Sequence, residues 1–523
     1  MYKLFFYLSL FSFISNYSQT VGTINNTDQS LDGYTLFAPN TSSTTYLINN
    51  CGEIINSWES EYDVGLSVYL LENGNLLRTI RKMENNSFTA GGIGGGIEEY
   101  NWEGELIWEY TYANKIVHQH HDIEPLPNGN ILILAWEKKT ANEAENMGAT
   151  NLNTEEIWPE HIIELEKETN NIVWEWHAWD HIIQDTDPSL PNYGSISENH
   201  QRININYKKP NNNPNNLSPF NGNGDWMHAN SIDYNADLDQ IIISVRRWNE
   251  IWIIDHSTSS EEAEGSSGGF YGKGGDLLYR WGNPEAYNQG SLDDKKFWGQ
   301  HDAKWINKNY TDGGKIMIFN NGSQTAGSEA REFSSIDIIN PPINDQGNYF
   351  LEENGTYGPI ELDWTYSSEN PYDFYADHIS GSDRLENGNT IICSGPQGHF
   401  FEINPLGDIV WEYINPTTAS GILSQGDTVI DGQNPVFNCK RYTHDYPAFE
   451  NRDLTPNGYI ELNSIDYMCE TYNNVDLIEN FNFSKKKLIK KIDVLGRETN
   501  NTKNLILYIY DDGTVSKKLQ IEN

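Results

Sequence analysis

One short phrase recurs six times along this chain: a turn residue, a few apolar residues, then tryptophan. It reads Cys51-Gly-Glu-Ile-Ile-Asn-Ser-Trp58, Glu103-Gly-Glu-Leu-Ile-Trp108, Asn170-Asn-Ile-Val-Trp174, Gly275-Asp-Leu-Leu-Tyr-Arg-Trp281, Gly358-Pro-Ile-Glu-Leu-Asp-Trp364 and Gly407-Asp-Ile-Val-Trp411. Repetition on this scale means stacked copies of one supersecondary unit, none of which buries its apolar face alone. A second phrase precedes the first in three units: Leu71-Glu-Asn-Gly-Asn-Leu-Leu77, Leu126-Pro-Asn-Gly-Asn-Ile-Leu132 and Leu385-Glu-Asn-Gly-Asn-Thr-Ile391. Asn-Gly between apolar runs predicts a hairpin with a two-residue type I′ turn. Each unit therefore reads as a four-stranded antiparallel sheet. Six such sheets predict an all-β chain arranged as a six-bladed β-propeller, which limits exposed strand edges.

The first tryptophan phrase lacks a hairpin before it, and Val436-Phe-Asn-Cys-Lys-Arg-Tyr442 follows the last one. N- and C-terminal strands are thus expected to share a blade and close the ring. A tryptophan at one point of every blade is a packing residue between blades. The insertions 141–158, 181–224 and 261–273 are expected to line one face, the binding face.

Charge and ends bound the function. The 523 residues carry a net charge of −41, which opposes nucleic acid and anionic lipid; solubility explains most of it. Lys3, the apolar stretch Leu4 to Ile14 and the polar residues to Thr20 read as an export signal over 1–20, too short to stay as a membrane span of roughly 20 apolar residues. Four cysteines would then meet an oxidising compartment. Cys51 with Cys439, or Cys439 with Cys469, are candidate pairs, and Cys393 reads as a buried free thiol. From Ser484 the chain carries nine Lys or Arg against five acids, so a separate module begins there after a linker over 466–483.

The histidines are unevenly placed. His121, His228, His301 and His378 stand just before the innermost strands of successive blades, so their imidazoles should converge on the axis. Two chemistries use such a cluster. Three imidazoles with an open position suit a metal; alternatively one neutral imidazole attacks while the others and an arginine hold an anion. Spacing leaves both open.

Words around these histidines occur in order: His118-Gln-His-His-Asp-Ile123, Trp226-Met-His-Ala-Asn-Ser-Ile232, Gln240 to Arg246, Leu278-Tyr-Arg-Trp-Gly-Asn-Pro284, Gly299-Gln-His-Asp-Ala303 and Phe319-Asn-Asn-Gly322. Over roughly 33–461 the chain resembles the bacterial aryl-sulfate sulfotransferases, a six-bladed propeller family. The resemblance implies sulfuryl transfer from a small phenolic sulfate to a phenolic acceptor, with no nucleotide donor, metal or other cofactor. His301, of the Gln-His word, matches the nucleophile that forms a sulfohistidine in ping-pong turnover, and His121, His228 and Arg246 match its electrostatic partners. Arg246 is preferred to Arg247 because Ser244-x-Arg246 fits the family's Ser-x-Arg word. His120, beside His121, leaves that position open by one residue. Asn230 and Asn320 are weaker candidates for substrate binding.

A sulfuryl group in flight spreads negative charge over its oxygens, so positioning and charge stabilisation carry the chemistry. In a field this acidic, a polyanionic polysaccharide is disfavoured as donor and a small aryl sulfate suits a local basic cluster. The segment 484–523 resembles the C-terminal sorting domain of type IX secretion in Bacteroidetes. That implies a small β-sandwich, the secretion machinery as partner, and delivery to the cell surface or medium. The family's N-terminal β-sandwich finds no counterpart, because blade-like sequence begins near Gly33; if it mediates dimerisation, this chain is a monomer. The competing expectation is a non-catalytic secreted propeller, a glycan or adhesion module with an axial histidine metal site. The partition expected is signal 1–20, propeller 21–465, linker 466–483 and sorting domain 484–523.

Overall fold

A computed structural model describes residues 19–83, 87–152, 154–207, 224–323, 330–464 and 469–470, with 488–493, 497, 504–510 and 515–520 near the C-terminus. The expected export signal and linker lie almost wholly outside the described residues. The chain divides into two compact units, Met1–Tyr472 and Asn473–Asn523. The first is a six-bladed β-propeller of antiparallel sheets.

From axis to rim, blade 1 is Val436–Thr443, Gly33–Pro39, Thr44–Asn49 and Ile54–Glu59. Blade 2 is Val64–Leu70, Leu76–Arg81, Gly95–Tyr100 and Leu106–Thr111; blade 3 is Val117–Pro125, Ile131–Glu137, Glu160–Glu166 and Asn171–His177. Blade 4 is Ala229–Asn235, Gln240–Val245, Glu250–Asp255 and Tyr279–Trp281, and blade 5 is His301–Trp305, Ile316–Asn320, Ser335–Ile339 and Trp364–Tyr366. Blade 6 is Gly381–Arg384, Thr390–Ser394, His399–Ile403 and Ile409–Ile414. The ring closes as expected: Val436–Thr443 pairs antiparallel with Gly33–Pro39. A second closure was not expected, since Gly22–Asn26 adds a fifth, outermost strand to blade 6.

The repeated tryptophans explain why the blades stack. Each stands on the fourth strand of its blade and reaches the next blade. Their indole Nε1 atoms donate from Trp58 to Asn101 O at 2.9 Å, Trp108 to Asn170 Oδ1 at 3.0 Å, and Trp174 to Thr258 Oγ1 at 3.1 Å. Trp281 donates to Pro359 O at 2.9 Å and Trp411 to Asn50 O at 2.8 Å. Trp364 instead lies under the Arg384 guanidinium, 4.9 Å from its ring, a cation–π contact. A buried indole so placed contributes apolar area and also satisfies its N–H.

The Asn-Gly hairpins form, but not with type I′ turns. Gly74, Gly129 and Gly388 adopt positive φ while the asparagine before each does not. The glycine N–H donates to the residue three before it, as Gly74 to Leu71 O at 2.8 Å, and Leu71 N–H bonds Asn75 O at 2.8 Å. This is a type I turn closed by a left-handed glycine; only the glycine, not Asn-Gly together, needs φ > 0.

Strand alternation sorts the insertions by face. The segments 141–158 and 181–224 connect strand ends at the face where the inner strands begin. The segment 261–273 joins Glu250–Asp255 to Tyr279–Trp281 and therefore lies on the opposite face. The single-face expectation fails for it.

The expected cysteine pairs do not form. Cys51 is bonded to Cys469, and Cys393 and Cys439 are buried free thiols. Cys439 is on the inner strand of blade 1 and packs with Cys393 in one core cluster, whereas Cys51 sits in the turn between the two outer strands. One sheet's width separates Cys51 from Cys439.

The second unit, among its described residues, is one antiparallel sheet of Leu488–Asp493, Asn504–Tyr510 and Val515–Gln520. The second layer of the expected β-sandwich is not among them. No helix among the described residues is long and apolar enough to cross a membrane.

Candidate active site

The inner strands of blades 2 to 5 begin irregularly: the ladders shift between Val64 and Val68, opposite Gln119 to Ile123, between Ala229 and Ile232, and between His301 and Lys304. Positive φ occurs at the same places, at His121 (53°), His228 (55°) and Asp302 (53°). Such bulges re-aim side chains at strand ends, and non-glycine residues hold this conformation only where surroundings enforce it. Here they turn imidazoles from blades 3, 4 and 5 toward the axis. His121 and His228 meet edge to face with centroids 4.8 Å apart, and His301 interacts electrostatically with both and with Arg246.

Each of the three imidazoles is held by its Nδ1. His301 Nδ1 is 2.7 Å from Asn321 Oδ1 and 3.1 Å from Gly299 O. Both partners are acceptors, because Asn321 Nδ2 donates to Ala376 O and Ile379 O at 2.7 and 2.9 Å. Nδ1 therefore carries the hydrogen, and Nε2 keeps its lone pair. His228 Nδ1 bonds Asp225 Oδ2 at 2.6 Å, and Arg247 clasps the same carboxylate at 3.0 Å. Arg247 is thereby committed to the wall. Arg246, in the turn after Gln240–Val245, places an N–H 3.3 Å from Ser323 Oγ and remains the cation beside His301.

The electrostatics keep the imidazoles neutral. Burial pushes His301 well below the usual imidazole range, with Arg246 the next cause; burial and then His228 do the same to His121. His228 is also lowered by burial, although Asp225 opposes the shift. Burial works against the Asp225 carboxylate too, yet Arg247 and His228 hold it down at about 2. Neutral imidazoles beside a guanidinium can attack or accept a proton.

His120 lies one layer behind. Fully buried, it stacks on Trp136 at 3.9 Å and bonds Glu160 through Nε2 and His121 through Nδ1; the one-residue ambiguity resolves with His121 at the axis. Asn230 Nδ2 donates to Gln300 O at 2.8 Å, and Ser244 Oγ reaches the same carbonyl at 3.3 Å. Both brace the Gln-His segment rather than face the axis. Asn320 is spent on Trp298 N, Lys296 O and Asp337. The residue that orients His301 is its neighbour Asn321. His378 stands at the edge of the cluster: its side chain is 52% exposed and bonds Asp377 at 2.5 Å, while interacting electrostatically with His301.

Sequence reasoning passed over Asp225, Glu160, Asn321 and Gly92. Asp225 stands three residues before His228, a spacing that could have flagged it. Gly92, within the Gly-rich run 91–96, donates space: a Cβ there would lie 1.9 Å from His121 Cε1, and its φ is +83°. Across the axis, blades 1, 2 and 6 present Phe437, Leu66 and Ile379, which form one apolar cluster. The site is thus half imidazole and half hydrocarbon.

Past the histidines the axial channel opens into a cavity of about 880 Å³, lined by Asp122, Glu124, Asp233, Asp302 and Asp383 with Lys304 and Lys440. Burial pushes Asp233 up to about 6, while Lys304 bridges Asp302 and Asp383 at 3.0 and 2.9 Å. The same cavity also presents Lys167, Arg384 and Arg441, so its lining carries both signs of charge. Among the described residues no three His, Cys, Asp or Glu side chains group as metal ligands would, so the axial metal site finds no donor set there.

The arylsulfotransferase (ASST) family model matches residues 20–420. The chain is 24% identical over 352 residues to the arylsulfate sulfotransferase AssT of Escherichia coli O6:H1 (strain CFT073), covering 62% of this chain and 53% of that protein; it thus spans about half the length of this curated relative. Among solved structures it is similar to a protein of unknown function from Bacteroides caccae (TM-score 0.41, 11% identity, 79% of this chain and 99% of that one). A virginiamycin B lyase from Staphylococcus aureus is also similar (TM-score 0.35, 12% identity, 77% and 87%). At these scores neither structure bears on chemistry.

Proposed function

The chain belongs to the arylsulfotransferase family, and on that premise we propose that it moves a sulfuryl group from a small aryl sulfate to a phenolic acceptor, with His301 as nucleophile. The observation that carries this reading is the pair of acceptors on His301 Nδ1, which leaves Nε2 with a lone pair beside Arg246. Nε2 attacks sulfur in line with the departing phenolic oxygen; the N–S bond forms as the S–O bond breaks. Arg246, planar and charged, directs its N–H donors at the sulfuryl oxygens, where charge accumulates. His121 and His228 serve the phenolic oxygen that departs and then the one that arrives. The aryl ring packs against Leu66, Ile379 and Phe437, whose apolar surface suits it. The acceptor phenol attacks the sulfohistidine, and the cycle is ping-pong.

The single guanidinium acting on His301, that of Arg246, supports a singly charged donor. The basic segment from Ser484 serves as a type IX sorting domain, which places the enzyme outside the cell or on its surface. The test is intact-mass analysis after incubation with an aryl sulfate alone. Wild type gains one SO₃, and His301→Ala gains none and loses acceptor-dependent phenol release. Full phenol release by His301→Ala would overturn the reading.

A further inference from the structure

A site of neutral, buried imidazoles has no obvious acid to give a departing phenolate. Behind His121 runs a chain of hydrogen bonds that the mechanism above does not use. His121 Nδ1 is 2.8 Å from His120 Nδ1, and His120 Nε2 is 2.7 Å from Glu160 Oε2. Glu160 is fully buried, and its other oxygen, Oε1, accepts the Ala229 N–H at 2.8 Å. An oxygen holding that N–H is the poorer place for a carboxyl proton, which leaves Oε2, facing His120, as its seat. Trp136 stacks flat on His120, 15° from parallel, and the His121 ring occupies the space that the missing side chain of Gly92 leaves.

Two nitrogens at 2.8 Å share one hydrogen, so the chain has two settings. With the proton on Glu160 Oε2, His120 accepts at Nε2 and donates from Nδ1 to His121 Nδ1, and His121 bears its hydrogen on Nε2 at the axis. With Glu160 ionised, His120 donates to it from Nε2, His121 donates from Nδ1, and His121 Nε2 offers a lone pair. The first setting is a donor to the sulfate ester; the second is an acceptor for a phenol.

The geometry points to Glu160 as the proton store of the transfer reaction, acting through His120 and His121; this rests on the proposed sulfuryl transfer at His301. In the first half-reaction His121 Nε2 gives its proton to the departing phenolic oxygen, His120 passes its Nδ1 proton to His121, and Glu160 passes its proton to His120 Nε2. The aryl sulfate becomes a phenol, His301 carries the sulfuryl group, and Glu160 is left a carboxylate. In the second half-reaction the acceptor phenol gives its proton to His121 Nε2 as its oxygen attacks sulfur, the chain runs backward, and Glu160 is reprotonated. No proton is gained or lost over the cycle, and no imidazole of the relay becomes a cation. The resting state fits: burial, with the Asp225 carboxylate nearby, holds the Glu160 carboxyl well above its usual range, and burial pushes His120 down to about 3.

The experiment compares wild type and Glu160→Gln on donors whose phenols differ in acidity. A strongly acidic leaving group such as 4-nitrophenol needs no proton; unsubstituted phenol does. Glu160→Gln is expected to form the SO₃ adduct from 4-nitrophenyl sulfate at nearly the wild-type rate and from phenyl sulfate about 100-fold more slowly, the scale of general acid catalysis. A structural role would slow both donors alike, and equal losses would overturn the relay. Wild type alone supplies a second measurement, independent of whether the variant folds. In infrared difference spectra a protonated-carboxyl band should bleach when phenyl sulfate alone forms the sulfo-enzyme and return when acceptor phenol is added; no bleach with phenyl sulfate overturns the relay. Failure of the parent reading looks different, since wild type would then form no adduct at all.

Discussion

Asn321 holds the Nδ1 hydrogen of His301 at 2.7 Å while its own amide hydrogens are fixed by Ala376 O and Ile379 O. The amide cannot flip without losing both bonds. One side chain therefore sets which nitrogen of the candidate nucleophile has a lone pair, as second partners of histidine do generally.

Asn321→Leu removes the main acceptor and leaves only Gly299 O at 3.1 Å. The other tautomer then becomes accessible, and SO₃-adduct formation should slow by about 100-fold or more, as for histidines that lose their orienting partner. Asn320→Ala is the contrast. It breaks contacts to Trp298, Lys296 and Asp337, so the melting temperature should fall while adduct formation by the folded enzyme persists. The reverse pattern would mean that the two asparagines have been assigned to each other's roles.

Gly92→Ala places a methyl 1.9 Å from His121 Cε1 in a backbone at φ +83°. The imidazole or the loop must move, at an overpacking cost of about 1–3 kcal/mol. Turnover should fall far more than thermal stability, measured by phenol release and by calorimetry on the same samples. Unchanged turnover would remove His121 from the reaction.

The pH dependence of activity follows from burial. His301, His121 and His228 are all lowered from the ordinary imidazole value, so the lone pairs survive below pH 6.5. With wild type, kcat/KM should stay level as the pH falls through 6.5 and decline only in more acidic solution. A half-maximal point at 6.5 would contradict the buried site.

A different histidine governs stability in alkali. His256 lies between Asp239 at 2.7 Å and Glu164 at 3.0 Å, joining blades 3 and 4. Burial opposes its charge, yet those two carboxylates raise it to about 9. Because the folded value exceeds the unfolded one of about 6.5, the stabilisation is complete below that pH and is lost as the pH rises through 9. The melting-temperature difference between wild type and His256→Gln should be large at pH 6 and nearly gone at pH 10. A constant difference would show that the imidazolium is not the stabilising form.

Thiol chemistry checks the chain closure. Peptide mapping should recover Cys51 linked to Cys469, and a thiol reagent should find two thiols, Cys393 and Cys439, only after unfolding. A link from Cys439 to either partner would refute the pairing.

The sequence by itself determined the architecture. Six tryptophan phrases counted six blades because each indole must reach its neighbour, and a periodic packing need leaves a periodic text. The stray strand Val436–Thr443 announced the closure for the same reason, being an unpaired unit at each end. Three of the four histidines expected at the axis, His121, His228 and His301, were legible too, since a common place in each repeat is a common place in space; His378 is the exposed exception. What tertiary structure decided was finer than one residue. The bulge that sends His121 inward and His120 into the wall arises from ladder register, whereas Asn320 ends its strand and Asn321 lies just beyond it. The partners Glu160 and Asp225 gain their meaning from burial beside particular nitrogens, and Cys51 found Cys469 because inner and outer strands of one blade stand apart. Local text specifies strands and turns; proton positions depend on contacts between segments far apart in the chain, and those exist only once the ring has closed.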